Sequence, residues 1–165
     1  MIQINSIKTD NDIQTVAALA HEIWYQHYIP IIGGAQVDYM LEKYQSSQAI
    51  AHAIRCQGYQ YYLVSVQDRP VGYFGICVIG DVLFLSKIYI QRDNRGQGIG
   101  HRMVDFVKSH ARENACIKIE LTVNKNNESA IAAYEKMGFC RDKQITADIG
   151  GGYVMDDYLM VLKLL

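Results

Sequence analysis

The sequence lacks several features that would assign it to a specialised class of protein. Its 165 residues include only two prolines, and no low-complexity segment, internal repeat or linker divides the chain. No apolar run reaches the roughly 18 residues of a membrane span, and the N-terminus lacks the basic and long apolar regions of a signal peptide. We therefore expect a single domain over residues 1–165, located in the cytoplasm and without a membrane partner.

Charge and cysteine content exclude two further classes. The formal net charge is −1, whereas nucleic-acid binding requires a basic field, so we expect no nucleic-acid partner. The four cysteines are widely spaced and lack the close ligand spacing of zinc sites. Cys77 and Cys116 lie in apolar stretches, where a free thiol behaves as a small hydrophobe. We therefore predict structural cysteines and no metal.

The sequence does contain enough apolar material for a core. Half of its residues are hydrophobic, and a domain of about 150 residues buries roughly 70% of its unfolded surface. The hydrophobic period predicts a first strand at 2–8 and then a helix to about His27, capped by Asp10 or Asn11. A loop is predicted over 28–34, because a proline and a Gly-Gly pair interrupt the helical pattern there.

The rest of the chain predicts an α/β fold. The further predicted elements are helices at 36–45 and 47–57, strands at 60–67, 71–79 and 82–90, a glycine-rich loop at 94–98, a helix at 98–114, a strand at 117–123, a helix at 128–137, and strands at 139–147 and 153–164. The segment 82–123 predicts a parallel crossover beside antiparallel strands. We expect a mixed six- to seven-stranded sheet with helices on both faces, in the order β-α-α-β-β-β-α-β-α-β-β.

The strongest local signal is the turn Arg95-Gly96-Gln97-Gly98-Ile99-Gly100, between a hydrophobic strand and an amphipathic helix. A helix N-terminus offers an anion unpaired amides and the positive end of the helix dipole. The three glycines let the backbone approach a ligand, and Arg95, His101 and Arg102 add donors nearby. The turn therefore predicts a phosphate or pyrophosphate site.

Spacing separates three families of phosphate-binding turn. A P-loop requires Lys-Ser or Lys-Thr after its glycines, and neither is present. A dinucleotide fingerprint requires a glycine where this sequence has His101. Glu120 lies where that fingerprint places its ribose-binding acid, but it falls inside a predicted strand. The pattern that remains is Arg/Gln-x-x-Gly-x-Gly/Ala, matched at Arg95, Gly98 and Gly100.

This pattern resembles the pyrophosphate loop of the GNAT acetyltransferase superfamily. Two more segments agree: the strand Lys87-Ile88-Tyr89-Ile90 before the loop, and Asn127-x-x-Ala130-x-x-x-Tyr134-x-Lys136-x-Gly138-Phe139 after the next strand. The resemblance covers about residues 70–164, and the N-terminal third agrees only in element order. The tail at 150–158 is loosely similar to small-molecule acetyltransferases near the polyamine-acetylating type.

The resemblance implies acetyl-CoA as co-substrate and assigns roles to residues. The backbone of the strand before the loop would pair with the pantetheine arm, the amides of residues 97–101 would hold the pyrophosphate, and a side-chain amide would hydrogen-bond the pantetheine. The implied binding residues are Ile88, Tyr89, Ile90, Arg95, Gly96, Gln97, Gly98, Ile99, Gly100, His101 and Asn127. Helix capping is an alternative, or an additional, role for Asn127.

Tyr134 is implied as the general acid. The departing CoA thiolate needs a proton, which a phenol with a pKa near 10 can supply late in the step. The alternative is a core tyrosine beside Ile131 and Met137. Direct attack of the amine in a ternary complex is expected, so no cysteine nucleophile is required.

The sequence leaves the general base and the acceptor open. Some relatives use a glutamate on the fourth strand, but residues 83–87 carry no carboxylate. Glu120, His27 and Asp156 are candidates, and each also fits a structural or solvated role. We expect the acceptor to be selected by the loop after the first helix and by the region of the last two strands.

The expected function is transfer of acetyl from acetyl-CoA to a primary amine of a small molecule. Two alternatives stay open: a peptide or protein N-acetyltransferase, and a CoA-binding regulatory module without catalysis. The last strand, Tyr158 to Leu165, is apolar enough to extend a sheet across a homodimer.

Overall fold

The fold is a seven-stranded mixed sheet, seen in a computed structural model that describes residues 1–164 apart from the side chain of Lys87. The elements are β1 (Ile2–Ser6), α1 (Asp10–Ile32), α2 (Gly34–Met40), a π-helical turn (Leu41–Gln45), α3 (Ser47–Cys56), β2 (Gln60–Val66), β3 (Arg69–Ile79), β4 (Val82–Ile90), a 3-10 turn (Arg92–Asn94), α4 (Ile99–Glu113), β5 (Lys118–Asn124), α5 (Glu128–Lys136), β6 (Cys140–Gly150) and β7 (Tyr153–Lys163). The predicted class and strand number are confirmed. Three α-helices precede β2, in agreement with the helices predicted to about His27, at 36–45 and at 47–57, whereas the predicted order of elements counts two.

The sheet opens between its two central strands. Its order is β1-β2-β3-β4-β5-β7-β6, and β4 and β5 form its parallel pair, as the predicted crossover through α4 requires. Their pairing covers only Val82–Phe84 with Lys118–Glu120. Just beyond it, Ile76 and Gly75 of β3 pair with Leu85 and Lys87 of β4, and this shift of register is a β-bulge in β4. Beyond Phe84 the two strands therefore diverge and leave facing edges unpaired.

Helices cover both faces of the sheet, as predicted. On one face α4 and α5 pack over buried side chains such as Phe74, Leu121 and Met160. On the other, α1, α2 and α3 cover Tyr61 and Tyr73. Because successive side chains of a strand point to opposite faces, the strands β2, β3, β4 and β7 contribute to both cores.

The start of α1 differs from the prediction. Thr9, rather than Asp10 or Asn11, is the N-cap: the Asp12 amide donates to Thr9 Oγ1 at 3.1 Å, and the Thr9 amide donates to Asp12 Oδ2 at 3.1 Å. This reciprocal capping box satisfies two backbone donors at once. A cap at Asp10 would place the apolar Ile13 at N3, which cannot complete such a box.

The end of α1 also differs, because the predicted loop at 28–34 is wrong. The helix continues through Pro30 to Ile32 and ends at Gly33, whose φ of 85° is in the left-handed region. A proline leaves the carbonyl four residues earlier without its helical donor. Arg92 Nη2 donates to that carbonyl, Gln26 O, at 2.8 Å. The replacement donor lets α1 run on, so that its last turns reach the middle of the sheet.

The last strand lies inside the sheet rather than at its edge. β7 pairs with β5 on one side and with β6 on the other, both over Tyr158–Val161. The predicted extension of a sheet across a dimer through this strand is therefore wrong, because both of its edges are already hydrogen-bonded.

The described residues were also compared with the expectations about membrane spans, metal sites and cysteines. None of the helices within residues 1–164 combines the length and apolar character of a membrane span. Over the same residues, His, Cys, Asp and Glu side chains form no group of three or more that could hold a metal ion. Cys77 and Cys116 are buried, whereas Cys56 and Cys140 are exposed, and all four are free thiols.

Candidate functional site

The glycine-rich turn places the uncapped N-terminus of α4 at a cleft. Gly98 is the N-cap in a left-handed conformation, with φ of 81°, and no side chain caps the helix. The first amide with a helical acceptor is that of Arg102, which donates to Gly98 O at 3.1 Å. The amides of residues 99–101 thus have no acceptor within the helix, the arrangement that binds phosphate groups.

The three glycines of the turn are required for different reasons. Gly96 and Gly98 have φ of 74° and 81°, which residues with a Cβ rarely adopt. Gly100 has ordinary helical backbone, but a Cβ there would lie 3.2 Å from Met137 Cε and 3.5 Å from Ile90 Cδ1. The first two glycines allow the shape of the turn, and the third allows α4 to pack closely on α5 and β4.

The open edge of β4 borders the same cleft. The Gln91 amide donates to Val71 O at 2.8 Å, towards β3. Since the backbone polar groups of a strand alternate in direction, those of Ile88 and Ile90 point to the opposite edge, from which β5 has diverged. Arg95 Nε donates to Ile90 O at 3.0 Å. Ile88 and the Ile90 amide remain on the open edge as groups that an extended ligand can pair with.

The cleft has a volume of about 430 Å³ and collects nearly all of the predicted cofactor residues. Those lining it are Ile88, Tyr89, Ile90, Arg95, Gly96, Gly98, Ile99, Gly100, His101 and Asn127, together with Tyr134. The exception is Gln97, whose Nε2 donates instead to Asp93 O at 3.3 Å. Residues about forty positions apart in sequence are brought to one cavity by the crossover.

A chain of polar contacts ties α1 to the cleft. Arg95 Nη1 lies 3.3 Å from His27 Nδ1, and His27 Nε2 lies 2.9 Å from Asn127 Oδ1. Because arginine can only donate, Nδ1 is the acceptor and Nε2 carries the proton. Burial lowers the pKa of His27, which favours this neutral form. With both ring nitrogens in use, His27 is poorly placed to be the general base.

Asn127 is the centre of this chain of contacts. It is only 3% exposed, and its Nδ2 donates to Tyr28 Oη at 3.2 Å while its Oδ1 contacts His27. Asn127 occupies the N-cap position of α5, as predicted, but its side chain makes no capping bond to that helix. Instead it fixes the start of α5 to the end of α1, and both bear residues of the cleft.

Tyr134 lies on α5 and lines the cleft. Its ring is half-buried and meets that of Phe139 edge to face, with centroids 5.8 Å apart. Burial raises the pKa of Tyr134 well above its usual value, so the phenol stays protonated at neutral pH. Tyr134 thus packs against the hydrophobic core, as expected of a structural tyrosine, and it also lines the cleft, as expected of a general acid.

A second, smaller cavity of about 230 Å³ adjoins the cleft where β4 and β5 diverge. Tyr28 and Tyr89 line both cavities. The remaining walls come from α1, α2, the π-helical turn, the two central strands and β7, and include Trp24, Ile32, Gln36, Met40, Tyr44, Gln45, Phe84, Ser86, Thr122, Val123, Asn124, Met155 and Asp157. Acceptor selection was predicted for a loop after the first helix and for the last two strands. Tyr28 and Ile32 of the first region line this pocket, although they are helical, and Met155 and Asp157 of β7 line it as well.

Asp157 is the residue that sequence reasoning missed. It is 5% exposed, and burial raises its pKa to about 6. Of the earlier candidates, Glu120 lies 3.5 Å from Lys118 outside both cavities, and the exposed Asp156 is bound to Lys125 at 2.7 Å. A signal was present in the sequence: Asp157 shares its strand face with Met155 and Leu159, so a carboxylate stands at an inward position.

Sequence comparison finds N-acetyltransferases among the curated proteins that are similar to part of this chain. The peptidyl-lysine N-acetyltransferase YjaB of Salmonella typhimurium is 34% identical over 76 residues, 46% of each chain. A thialysine N-epsilon-acetyltransferase of Sus scrofa is 32% identical over 59 residues, 36% of this chain and 35% of that protein. The matches thus span less than half the length of these curated relatives.

The fold comparison extends over the whole chain. The crystal structure of the PaiA N-acetyltransferase of Thermoplasma acidophilum, in complex with coenzyme A, superposes with a TM-score of 0.83 over 99% of both chains at 18% identity. The model of the acetyltransferase (GNAT) family matches residues 21–139, which include the glycine-rich turn, Asn127 and Tyr134. With more than half of its length matched, the chain belongs to the GNAT acetyltransferase family.

Proposed function

We propose that the 165-residue chain is a single acyl-CoA-dependent N-acetyltransferase domain that moves acetyl from acetyl-CoA to a primary amine of a small molecule. The observation that carries this proposal is the meeting of two cavities at Tyr28 and Tyr89, where β4 and β5 diverge. One cavity has the donors for a diphosphate and an extended arm. The other has the size and lining for an acceptor.

The residues of the cleft fit coenzyme A. The amides at the start of α4 would hold the pyrophosphate, since glycines leave no side chain in their way. The open edge of β4 at Ile88 and Ile90 would pair with the amides of the pantetheine arm, as an added strand does. Asn127 would act by fixing α1 and α5 around the arm, because its own polar groups already have protein partners.

The chemistry requires one bond to form and one to break. The neutral amine attacks the thioester carbonyl, the new C–N bond forms, the C–S bond breaks, and the sulfur leaves with the electron pair. Tyr134 gives its proton to that sulfur, and a proton lost from the nitrogen restores the phenol. Its raised pKa keeps the acid loaded at neutral pH.

The hairpin between β6 and β7 favours a small acceptor over a polypeptide. Tyr39 Oη donates to Ile149 O at 2.7 Å, and Gln36 Nε2 donates to Val154 O at 3.3 Å. These contacts hold the hairpin against α2, and Gln36 of α2 and Met155 of β7 both line the smaller cavity. The hairpin therefore limits the space that a polypeptide would need there. The names of the two relatives, which specify lysine and thialysine, support an amine acceptor.

An inactive CoA-binding module is less well supported, because Tyr134 lines the cleft and burial raises its pKa, so that the phenol stays protonated at neutral pH. The cytoplasmic location, the absence of a nucleic-acid partner and a homodimer stay predictions. A homodimer would need a surface other than the edges of β7.

Tyr134→Phe tests the proposed function. We expect turnover, followed by release of the CoA thiol with a saturating amine, to fall at least about tenfold. The dissociation constant for acetyl-CoA should be unchanged. Tyr62→Phe is the matched control, because that phenol lies outside both cavities and bonds to Gln60 at 3.2 Å.

Two outcomes would contradict the proposal. One is full turnover by Tyr134→Phe, which would remove the phenol from the mechanism. The other is a thermal-shift panel in which NAD or ATP stabilises the wild type and acetyl-CoA does not. A ligand present at a hundred times its dissociation constant adds about 2.7 kcal/mol of stability, so the distinction is easy to measure.

A further inference from the structure

The acceptor cavity, defined by the lining given above, contains a single carboxylate in an aromatic enclosure. Among its described lining residues, Asp157 is the only acid and no lysine, arginine or histidine occurs. Five of the other lining side chains are aromatic: Trp24, Tyr28, Tyr44, Phe84 and Tyr89. A pocket of this composition carries one negative charge and little else that is ionised at neutral pH.

The aromatic rings are arranged as a wall rather than as scattered contacts. Trp24 lies 4.5 Å from Tyr28 and 5.5 Å from Tyr89 between ring centroids, and the two tyrosines meet edge to face at 6.2 Å. The faces of such rings attract cations, most strongly where water is excluded. The wall therefore adds to the attraction that a carboxylate has for a positive charge.

Asp157 has no counter-ion of its own within the described residues. It makes no salt bridge there, and Lys125 is bound to the neighbouring Asp156 at 2.7 Å. Asp156 and Asp157 are adjacent on a strand, so their side chains point to opposite faces. A buried carboxylate without a partner is costly, and such a cost is commonly retained where a ligand supplies the partner.

We propose that this cavity binds the acetyl acceptor as a monocationic primary ammonium ion, with Asp157 as its counter-ion and as the first acceptor of its proton. The inference rests on the proposed function and adds the chemical class of the acceptor. The single carboxylate selects one positive charge. The absence of a cationic lining side chain, in the described part, disfavours an acceptor with its own carboxylate near the amine.

The volume of the cavity and its aromatic wall narrow the class further. A volume of about 230 Å³ is below the range of about 300–1,000 Å³ of pockets that hold drug-sized ligands. The space suits an alkyl or arylalkyl monoamine such as tyramine. A triply charged polyamine would bury two ammonium groups without partners, which is unfavourable.

The protons balance in the following way. Of the three on the ammonium nitrogen, one goes to the Asp157 carboxylate and then to solvent, and the amine attacks with the two that remain. A second restores Tyr134 after that phenol has protonated the departing sulfur. The third stays on the amide product.

The first experiment compares acceptors that differ in one group. Tyramine and tyrosine differ only in the carboxylate, and spermidine adds charges to an alkylamine. With wild-type enzyme and acetyl-CoA, we expect kcat/KM for tyramine to exceed that for tyrosine and for spermidine at least about thirtyfold. A preference for tyrosine, spermidine or a lysine-containing peptide would overturn the inference while leaving acetyl transfer intact.

The second experiment changes the carboxylate. Asp157→Asn should raise KM for tyramine at least about thirtyfold and leave the dissociation constant of acetyl-CoA unchanged. Asp156→Asn makes the same chemical change on the exposed face of the strand and should leave both constants as they are. Retention of the wild-type KM by Asp157→Asn, with the fold checked by circular dichroism, would contradict the inference.

A pH profile provides a readout that a structural role would not move. The groups facing Asp157 are the phenols of Tyr28, Tyr44 and Tyr89, with Lys125 and Asp156 the nearest charges. Burial raises the pKa values of Tyr28 and Tyr89 and lowers that of His27 in the adjoining cleft, so the loss of the limb in Asp157→Asn is what assigns it to Asp157. In the wild type kcat/KM for tyramine should fall as the pH drops below about 6; this limb should be absent in Asp157→Asn, and its persistence would overturn the assignment.

The two proposals fail in different ways. If the wild type acetylates none of the amines and binds no acetyl-CoA, the proposed function is wrong. If it acetylates amines but Asp157→Asn and the wild type share one acceptor ranking, the proposed function stands and the role of Asp157 is wrong.

Discussion

The two cavities are built from different parts of the polypeptide. The cofactor cleft relies on backbone: the amides that begin α4, glycines at 96, 98 and 100, and the open edge of β4. The acceptor cavity relies on side chains from α1, α2, the π-helical turn and three strands. A backbone site needs glycine spacing in one short segment, whereas a side-chain site needs elements that only the folded chain brings together. The difference predicts how each cavity responds to substitution.

The largest expected effect on stability comes from removing the buried charge of the acceptor cavity. The pKa of Asp157 is raised from 3.8 to about 6 by burial, so the folded protein binds the proton more tightly than the unfolded chain. Stability therefore falls as the pH rises from about 4 to 6 and stays lower above that range. Removing the charge by Asp157→Asn should stabilise the ligand-free protein at pH 8 by on the order of 2 kcal/mol, or roughly 4–8 °C in Tm.

Thermal melts at two pH values check this prediction. At pH 4.5 the native carboxyl is mostly protonated, so Asp157→Asn should gain little over the wild type. Asp156→Asn should gain less than Asp157→Asn at pH 8, because its carboxylate is exposed and bound to Lys125 and its charge is a smaller cause of the raised pKa of Asp157 than burial is. An equal gain at both pH values would mean that packing, rather than charge, is responsible.

A smaller effect is expected from a substitution in the glycine-rich turn of the cofactor cleft. Gly98 and Gly152 have φ of 81° and 80°, and a Cβ at either would meet nothing within 4 Å. Alanine at each should therefore cost a similar stability, about 1 kcal/mol. Only Gly98→Ala should also weaken acetyl-CoA binding, by about tenfold, because its methyl group stands at the amides of α4. Calorimetric titration of both variants measures the contrast, and equal affinities would show that the turn does not bind the diphosphate.

The smallest effect on stability is expected from Arg92, which binds the end of α1 near the junction of the two cavities. Arg92 donates to the Gln26 carbonyl that Pro30 leaves without a helical donor. Arg92→Ala should lower the free energy of unfolding by about 1 kcal/mol. In a Pro30→Ala background the restored backbone amide can take that carbonyl, so the same substitution should cost less. Urea denaturation of the four proteins measures the coupling, and strictly additive values would disprove the replacement of the lost donor.

The sequence predicted the residues of the cofactor cleft more completely than those of the acceptor cavity. The succession of strands along the chain, the crossover and the glycine-rich turn follow from local patterns, whereas the insertion of β7 between β5 and β6 does not. Ten of the eleven predicted cofactor residues line one cleft. The role of each remains a prediction. Gln97 lies outside the lining because its side chain turns back to Asp93, a choice that spacing does not reveal.

The errors have a common physical cause. The length of α1 depends on a hydrogen bond from Arg92, which is 66 residues away from Gln26. Asp157 was passed over because its importance depends on the divergence of β4 from β5 and on rings contributed by α1. In both places a contact between distant segments decides the outcome, and local periodicity has no access to such contacts.

The shared wall of Tyr28 and Tyr89 has a consequence for the evolution of related enzymes. Since both rings border both cavities, a smaller residue at either position enlarges the space for the acyl group and for the amine together. Under the proposed function, tolerance of longer acyl chains and tolerance of bulkier amines are therefore expected to change together. A lineage that needs to alter only one of them must mutate elsewhere, and the hairpin resting on Tyr39 offers that freedom on the amine side alone.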